Sequence, residues 1–276
     1  MIEAFSPGSV TLFFEIKDDK KDPLKIGSRG VGICLSRGVR TKIQRSSKIE
    51  VYINGSREIQ TIQEEISRSF GFTGRIESTV ELPISQGFGM SGAAALSTSL
   101  AIAAFLGKTS LEAAHTAHII EIKRKSGLGD VATQYEGGIT LRRKEGIHPY
   151  GVLDRIIHPP LPLYLVIFEE KGIETKSILA DPEKRRKIKK EGHRAMKKFL
   201  KAPSLENAIK IAREFAISTS LLSEEAKNFL ELCANSTVAM IGNSAIIFGE
   251  CKSSVLEDYR VFKVGVGPRA HIVSFA

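Results

Sequence analysis

Apolar residues recur at strand and helix spacings through the first half of the chain. The opening stretch IEAFSPGSVTLFFEI is apolar on both sides of a Ser-Pro-Gly turn, which predicts a strand pair or a strand followed by a sharp bend. Residues 19–32 are polar and predict a loop. RTKIQ and KIEVYINGS predict strands with an Asn54-Gly55 turn, and the spacing of isoleucines in residues 57–70 predicts a helix.

The next stretch predicts a strand, two helices and a further strand. GRIESTVELP is typical of a strand that ends at Pro83, and SGAAALSTSLAIAAFLG of a helix that is stopped by Gly107. SLEAAHTAHIIEIKRKSG predicts a second helix, capped by Ser110 and stopped by Gly127. YEGGITLRR predicts a strand that starts through a double glycine.

Helical patterns dominate the second half. After a turn-rich segment at 145–160, LPLYLVIF predicts a strand, and a basic helix follows with Asp181 as N-cap and Pro182 at its first position. Two more helices are predicted near 204–216 and 223–235, then a strand, turn and strand in TVAMIGNSAIIFGE and a last strand pair ending in AHIVSF. This order predicts two α+β domains that share a cleft, residues 1–155 and 156–276.

Composition narrows the class of protein. A chain of 276 residues that is 42% hydrophobic can form one large domain or two ordinary ones. No apolar run is long enough to span a bilayer and the start lacks signal-peptide features, so we expect a cytoplasmic protein. The three cysteines, Cys34, Cys233 and Cys251, show no CxxC spacing and indicate small core residues rather than a zinc site or disulfide framework.

The formal charge of +9 indicates an anionic partner or a basic surface. Much of the excess lies in residues 181–201, where Ile188, Met196, Phe199 and Leu200 form a thin apolar stripe. A solvated helix surface is favoured over nucleic-acid binding, because no aromatic residues are interleaved for stacking.

The stretch LPISQGFGMSGAAALS places glycines directly before a predicted helix. Residues 87–92 match GxGxxG, but a dinucleotide fold requires the glycines directly after a strand and an acidic strand end about 20 residues later. A P-loop requires a lysine, and none lies between Leu82 and Gly107. Glycine amides and a helix N-terminus predict an anion site, most naturally for phosphate, although a tight turn against a sheet stays open.

Two carboxylates favour a triphosphate over a simple turn. Glu121 lies on the second predicted helix, and Asp130 follows a Gly-Leu-Gly turn. Magnesium takes carboxylate and hydroxyl ligands, so Ser91 and Glu121 are candidate metal ligands. Asp130 is a candidate to accept or orient the proton of an acceptor hydroxyl.

Together, SPGSVTLFFE, PISQGFGMSGAAALS and GLGDVATQYEGG resemble the GHMP superfamily of small-molecule kinases. The resemblance implies a two-domain α+β fold with mixed and antiparallel sheets packed by helices, and an active site in the cleft between the domains. It implies a phosphate loop that includes Pro83, Gly87, Gly89, Met90, Ser91, Gly92 and Ala93. It also implies that Ser91 and Glu121 bind magnesium and that Asp130 is the catalytic aspartate.

A narrower resemblance, to the archaeal pantoate kinase family, follows from DPLKIGSRGVGICLSRGV, GFGMSGAAALS, AHIIE and IGNSAIIFGE. It implies ATP-dependent phosphorylation of the terminal hydroxyl of pantoate to 4-phosphopantoate in coenzyme A biosynthesis. By that resemblance Ser28, His118 and Arg142 hold the substrate. An arginine fork suits the pantoate carboxylate, while neutral donors suit its hydroxyls.

Some assignments stay open on the sequence alone. His115 and His118 suggest a metal site, but Glu121 lies about 600° round the helix from His115, which disfavours one shared ion. Strand alternation sends only one of Arg142 and Arg143 into the cleft. The first motif has Ser9 where mevalonate kinases have lysine, and the third superfamily motif is reduced to residues 241–244.

The function predicted from sequence is therefore that of a magnesium- and ATP-dependent kinase acting on a small hydroxy acid. The alternatives are another acceptor, such as mevalonate, homoserine or shikimate, or a dinucleotide-binding oxidoreductase or RNA-binding protein. Pantoate and ATP are the expected partners, with no membrane and no nucleic acid, and a homodimer stays open.

Overall fold

Twelve strands and seven α-helices lie within residues 1–168 and 180–275, the part of the chain that this computed structural model describes. The strands are β1 (Ile2–Lys17), β2 (Gly27–Arg45), β3 (Glu50–Ile53), β4 (Ser56–Glu58), β5 (Gly74–Val80), β6 (Ile139–Lys144), β7 (Val152–Arg155), β8 (Leu163–Ile167), β9 (Ser236–Val238), β10 (Ser244–Phe248), β11 (Arg260–Val264) and β12 (His271–Phe275). The helices are α1 (Ile62–Phe70), α2 (Met90–Phe105), α3 (Ser110–Arg124), α4 (Asp130–Glu136), α5 (Pro182–Phe199), α6 (Leu205–Thr219) and α7 (Glu224–Leu232). The α+β class expected from the sequence is confirmed.

The strands form two sheets. The larger has the order β12-β1-β2-β5-β3-β4, with β6 paired to β2 and β7 paired to β6, and the smaller has the order β11-β8-β10-β9. Every pairing is antiparallel except that of β3 with β5. The last strand thus returns to the sheet of the first. The division into residues 1–155 and 156–276 stays a prediction, and 169–179 and 276 lie outside the described residues.

The opening stretch forms one strand, so the expected strand pair or sharp bend is wrong. β1 pairs with β2 from Ile2 to Lys17, and its register shifts once between Pro7 and Ser9 and again between Thr11 and Phe13. These bulges absorb the Ser-Pro-Gly sequence without ending the ladder. The loop expected at residues 19–32 is likewise shorter, because β2 begins at Gly27 and pairs there with Lys17.

Three other local predictions need correction. The helix expected at 57–70 begins only after its N-cap Thr61, and Arg57 lies in β4. The cap of α3 is Thr109, not Ser110, because Thr109 and Glu112 form a reciprocal capping box. The last two strands do not pair with each other, since β11 and β12 belong to different sheets.

The basic helix α5 packs on β1 and α6. Asp181 caps it as predicted, and its cations form ion pairs along the surface, such as Arg185 and Lys189 with Asp18. Phe199 packs edge-on against Phe13 of β1, with ring centroids 5.4 Å apart. Leu200, expected in the apolar stripe, is 36% exposed, because it lies at the C-cap.

Cys34 and Cys233 are buried as expected, whereas Cys251 is partly exposed. The sulfur atoms of Cys233 and Cys251 lie 3.1 Å apart as free thiols. Among the helices of residues 1–168 and 180–275, none is long and apolar enough to cross a membrane.

Candidate active site

The predicted phosphate loop lines one wall of a cleft of about 900 Å³. It leads into α2, whose N-cap Gly89 has a left-handed backbone with φ 63°. A Cβ atom at Gly89 would lie 2.3 Å from Ser9 Oγ, so glycine is required here for both conformation and space. The first helical hydrogen bond runs from Ala93 N to Gly89 O. Three amides therefore have no acceptor within the helix, those of Met90, Ser91 and Gly92.

The free amides and the dipole of α2 make this end of the cleft favourable for anions. Gly87, Gly89, Met90, Ser91 and Gly92 all line the cleft. Pro83 and Ala93, also expected in the phosphate loop, are absent from the cleft lining. Pro83 has no amide hydrogen to donate, and the Ala93 amide is used within α2.

The first turn of α2 and the last turns of α3 meet through a serine and a glutamate. Ser91 Oγ donates to Glu121 Oε1 at 2.6 Å, and Ser126 Oγ donates to the same oxygen at 2.8 Å. Glu121 Oε2 is buried and has no hydrogen-bond partner among the described residues. Burial raises the pKa of Glu121 to about 7, against the lowering effect of the two hydroxyl donors.

A buried carboxylate oxygen without a partner is costly, so the geometry favours a ligand at Glu121 Oε2. Ser91 and Glu121 supply hard oxygen atoms of the kind that magnesium prefers. No cluster of three or more acidic, histidine or cysteine side chains suited to a metal occurs in the described part of the chain. The pair therefore fits an ion that completes its coordination with phosphate oxygens and water rather than one held by protein alone.

Asp130 is the first residue of α4 rather than part of the preceding turn. Its Oδ1 accepts a hydrogen bond from Ser9 Oγ at 3.0 Å. A Cβ atom at Gly127 would lie 2.6 Å from Asp130 Oδ2 and 2.8 Å from Glu121 Oε2. The two carboxylates thus converge on one glycine. Burial raises the pKa of Asp130, while the Arg142 guanidinium and the Ser9 hydrogen bond act in the opposite direction.

Arg142 points inward from β6 and is only 2% exposed. Its Nη2 donates to Ser28 Oγ at 3.3 Å, its Nε to Ser28 O at 3.2 Å, and its Nη1 to Thr133 Oγ1 at 2.6 Å. Arg143 instead forms an exposed ion pair with Asp154. The alternation of the strand therefore directs Arg142, and not Arg143, toward the cleft, a choice that the sequence alone could not make. Arg142 lies beside Asp130. Ser28 lines the cleft, and Arg142 lies behind it.

The two histidines of α3 bind different carbonyl oxygens. His118 Nε2 donates to Ile26 O at 3.0 Å, and His115 Nε2 contacts His148 O at 2.6 Å. Burial lowers the pKa of His118 to about 4, so its ring is neutral at pH 7. This arrangement argues against one metal ion shared by both rings. His118 does not line the cleft, but the segment that it supports leads into Ser28.

The connection between β9 and β10 of the smaller sheet also lines the cleft. Met240 and Ile241 line it, and Ser244 Oγ donates to Gln86 O at 2.6 Å. The turn between β9 and β10 therefore contacts the phosphate loop directly.

Sequence reasoning missed Ser126 and Gln134. Gln134 Nε2 donates to Gly89 O and to Ser9 Oγ. The one sequence signal for Gln134 is its position four residues after Asp130. That spacing places the two side chains on one face only if the segment is a helix, and α4 was not predicted from the sequence.

Residues 56–138 match the GHMP kinases N terminal domain. The chain is 32% identical over 267 residues to the pantoate kinase of Methanocaldococcus jannaschii, covering 92% of this chain and 94% of that protein. It is 35% identical over 261 residues to the pantoate kinase of Thermococcus kodakarensis, covering 88% of this chain and 85% of that protein. A solved phosphotransferase related to the CoA biosynthesis pathway superposes with a TM-score of 0.85 at 29% identity, covering 99% of this chain and 98% of that one.

Proposed function

Because the chain belongs to the pantoate kinase family of GHMP kinases, we propose that it transfers the γ-phosphate of ATP to the terminal hydroxyl of pantoate. The product is 4-phosphopantoate, an intermediate of coenzyme A biosynthesis. One observation carries the assignment of residues: Ser91, Glu121 and Asp130 come from three different helices to the same cleft as the phosphate loop. A dinucleotide-binding oxidoreductase and an RNA-binding protein are not favoured.

In this proposal the phosphates bind at the N-terminus of α2, where the amides of Met90, Ser91 and Gly92 are free to donate. Ser91 and Glu121 hold magnesium, whose positive charge neutralises the triphosphate when it is bound. The unpartnered Glu121 Oε2 and the chemistry of the two ligands support this role.

Asp130 orients the acceptor hydroxyl and receives its proton. Its Oδ1 is occupied by the Ser9 hydrogen bond, so Oδ2 is the oxygen assigned to the acceptor. Phosphoryl transfer depends largely on alignment and charge stabilisation, so a fixed carboxylate contributes even where proton transfer is late.

Ser28 and Arg142 form the acceptor end of the site. Arg142 is held by Ser28 and Thr133, and it supplies a positive charge for the pantoate carboxylate. His118 supports the segment that ends in Ser28 through its hydrogen bond to Ile26 O. We assign all three residues to substrate binding.

An ADP-release assay across pantoate, pantothenate, mevalonate, homoserine and shikimate tests this function. We expect pantoate to be strongly preferred and phosphorus NMR to show a new phosphomonoester on its terminal hydroxyl. Preference for another acceptor would retain the kinase class and reject the pantoate assignment. The cytoplasmic location belongs to the same proposal, and the homodimer stays a prediction.

A further inference from the structure

Gln134 is a fully buried amide that the mechanism above does not use. It lies on α4, four residues after Asp130, and therefore on the same side of that helix. The atom next to Gly89 O must be the amide nitrogen, because a carbonyl oxygen only accepts hydrogen bonds. Nε2 lies 2.8 Å from Gly89 O and 3.1 Å from Ser9 Oγ. Both of its hydrogens are thus committed.

These contacts determine the direction of the Ser9 hydroxyl. Ser9 Oγ accepts one hydrogen from Gln134, and its own single hydrogen is then directed to Asp130 Oδ1, 3.0 Å away. Glycine at position 89 leaves the space that this arrangement needs, because a Cβ atom there would approach Ser9 Oγ to 2.3 Å and Gln134 Nε2 to 2.9 Å.

The same amide links the phosphate loop to Asp130. Gly89 is the N-cap of α2, so its carbonyl lies where the loop becomes the anion-binding end of the helix. Ser9 N also donates to Phe88 O at 2.9 Å, which ties β1 to the same loop. The side chain of Gln134 therefore connects the donor end of the cleft to the carboxylate at its acceptor end.

We infer that Gln134 is a positioning residue for the phosphoryl transfer, which acts by directing the Ser9 hydroxyl to Asp130 and by holding Asp130 at a fixed distance from the phosphate loop. The inference rests on the proposed function of Asp130. In this inference two neutral side chains, Ser9 and Gln134, support the Asp130 carboxylate. The first motif of this chain contains no lysine that could do so.

The test compares kcat and KM for both substrates in Ser9→Ala, Gln134→Met and the double variant. Methionine keeps the length of glutamine and removes both donors. We expect kcat to fall by about 10- to 100-fold in each single variant, with the KM values of ATP and pantoate close to those of the wild type. The double variant should be no slower than the slower single variant, because the Ser9 hydrogen bond depends on Gln134.

A second substitution keeps the test valid if Gln134→Met unfolds the protein. Gln134→Glu retains shape and attracts the Ser9 hydrogen away from Asp130, so kcat should fall at least as far. Ser67→Ala is the matched control, since it removes a buried hydroxyl that donates to Phe72 O at 2.7 Å outside the cleft. Thermal unfolding of every variant identifies losses that come from instability.

Unchanged kcat in Gln134→Met, or single effects that multiply in the double variant, would overturn the inference. So would a rise in the KM of ATP with kcat unchanged, because Gln134 would then serve only the loop. If the wild type prefers another hydroxy acid, the pantoate assignment fails, and the same variants measured on that acceptor decide the role of Gln134. A wild type with no kinase activity overturns both.

Discussion

Ser91 Oγ and Glu121 Oε1 lie 2.6 Å apart, although 30 positions separate the two residues along the chain. The contact joins the first turn of α2 to the end of α3, which pack against each other. A hydroxyl at the N-terminal end of one helix thereby meets a buried carboxylate of another.

Glu121→Gln should lower kcat/KM by about 100- to 1,000-fold, because it removes the charge that offsets a bound cation while keeping an oxygen for Ser91. The magnesium concentration needed for half-maximal activity should rise. Activity is measured across a magnesium titration, with Glu214→Gln, on the surface of α6, as the control. An unaltered magnesium dependence would exclude Glu121 as a ligand.

Asp130→Asn should reduce kcat by about 100- to 10,000-fold, since an amide accepts the Ser9 hydrogen bond and yet cannot take the acceptor proton. ATP binding, measured by calorimetry, should stay near the wild-type value. Asp154→Asn provides the control, because that carboxylate is exposed and pairs with Arg143. Near-normal turnover would reject the role given to Asp130.

Arg142→Lys should raise the KM of pantoate by about 10- to 100-fold, because lysine keeps the charge and loses the planar fork that Ser28 and Thr133 orient. The KM of ATP should change little. Arg143→Lys is a matched control on the next position of the same strand, with its side chain outside the cleft. Equal effects of the two substitutions would contradict the assignment of Arg142 to the acceptor.

The pKa of His118 predicts how stability depends on pH. Burial lowers it from 6.5 to about 4, so between these values the unfolded chain binds a proton that the folded chain excludes. This contribution to the free energy of unfolding is complete above pH 6.5 and is lost as the pH falls toward 4, a difference of about 3 kcal/mol.

His118→Gln keeps a donor for Ile26 O and removes this titration. Urea unfolding of both proteins between pH 7.5 and 4.5 should show a smaller loss of stability in the variant. His158→Gln, at a partly exposed position, is the control and should follow the wild type. Parallel pH curves for wild type and His118→Gln would show that His118 is not buried in its neutral form.

Local signals in the sequence identified the glycine loop and the two carboxylates that the structure brings to one cleft. Glycines before an alanine-rich helix indicate a backbone without side chains at a helix N-terminus. The carboxylates were Glu121, within a helical pattern, and Asp130, directly after a Gly-Leu-Gly turn. The same signals placed Asp181 as a cap and predicted the Asn54-Gly55 turn, because caps and tight turns depend on a few adjacent residues.

Tertiary structure decided what depends on pairing between distant segments. β1 continues through Pro7 because β2 supplies its ladder, and Arg142 rather than Arg143 turns inward because β6 pairs with β2 in one register. Cys233 and Cys251 meet although no local spacing joins them. The line from Gly89 through Gln134 and Ser9 to Asp130 crosses α2, α4 and β1, so it exists only when these elements pack. Sequence alone thus determined the glycine loop and the carboxylates of the candidate site, because these depend on short local patterns. The long-range packing of strands and helices decided how those groups are aligned and brought in Ser126 and Gln134, which no local pattern indicated.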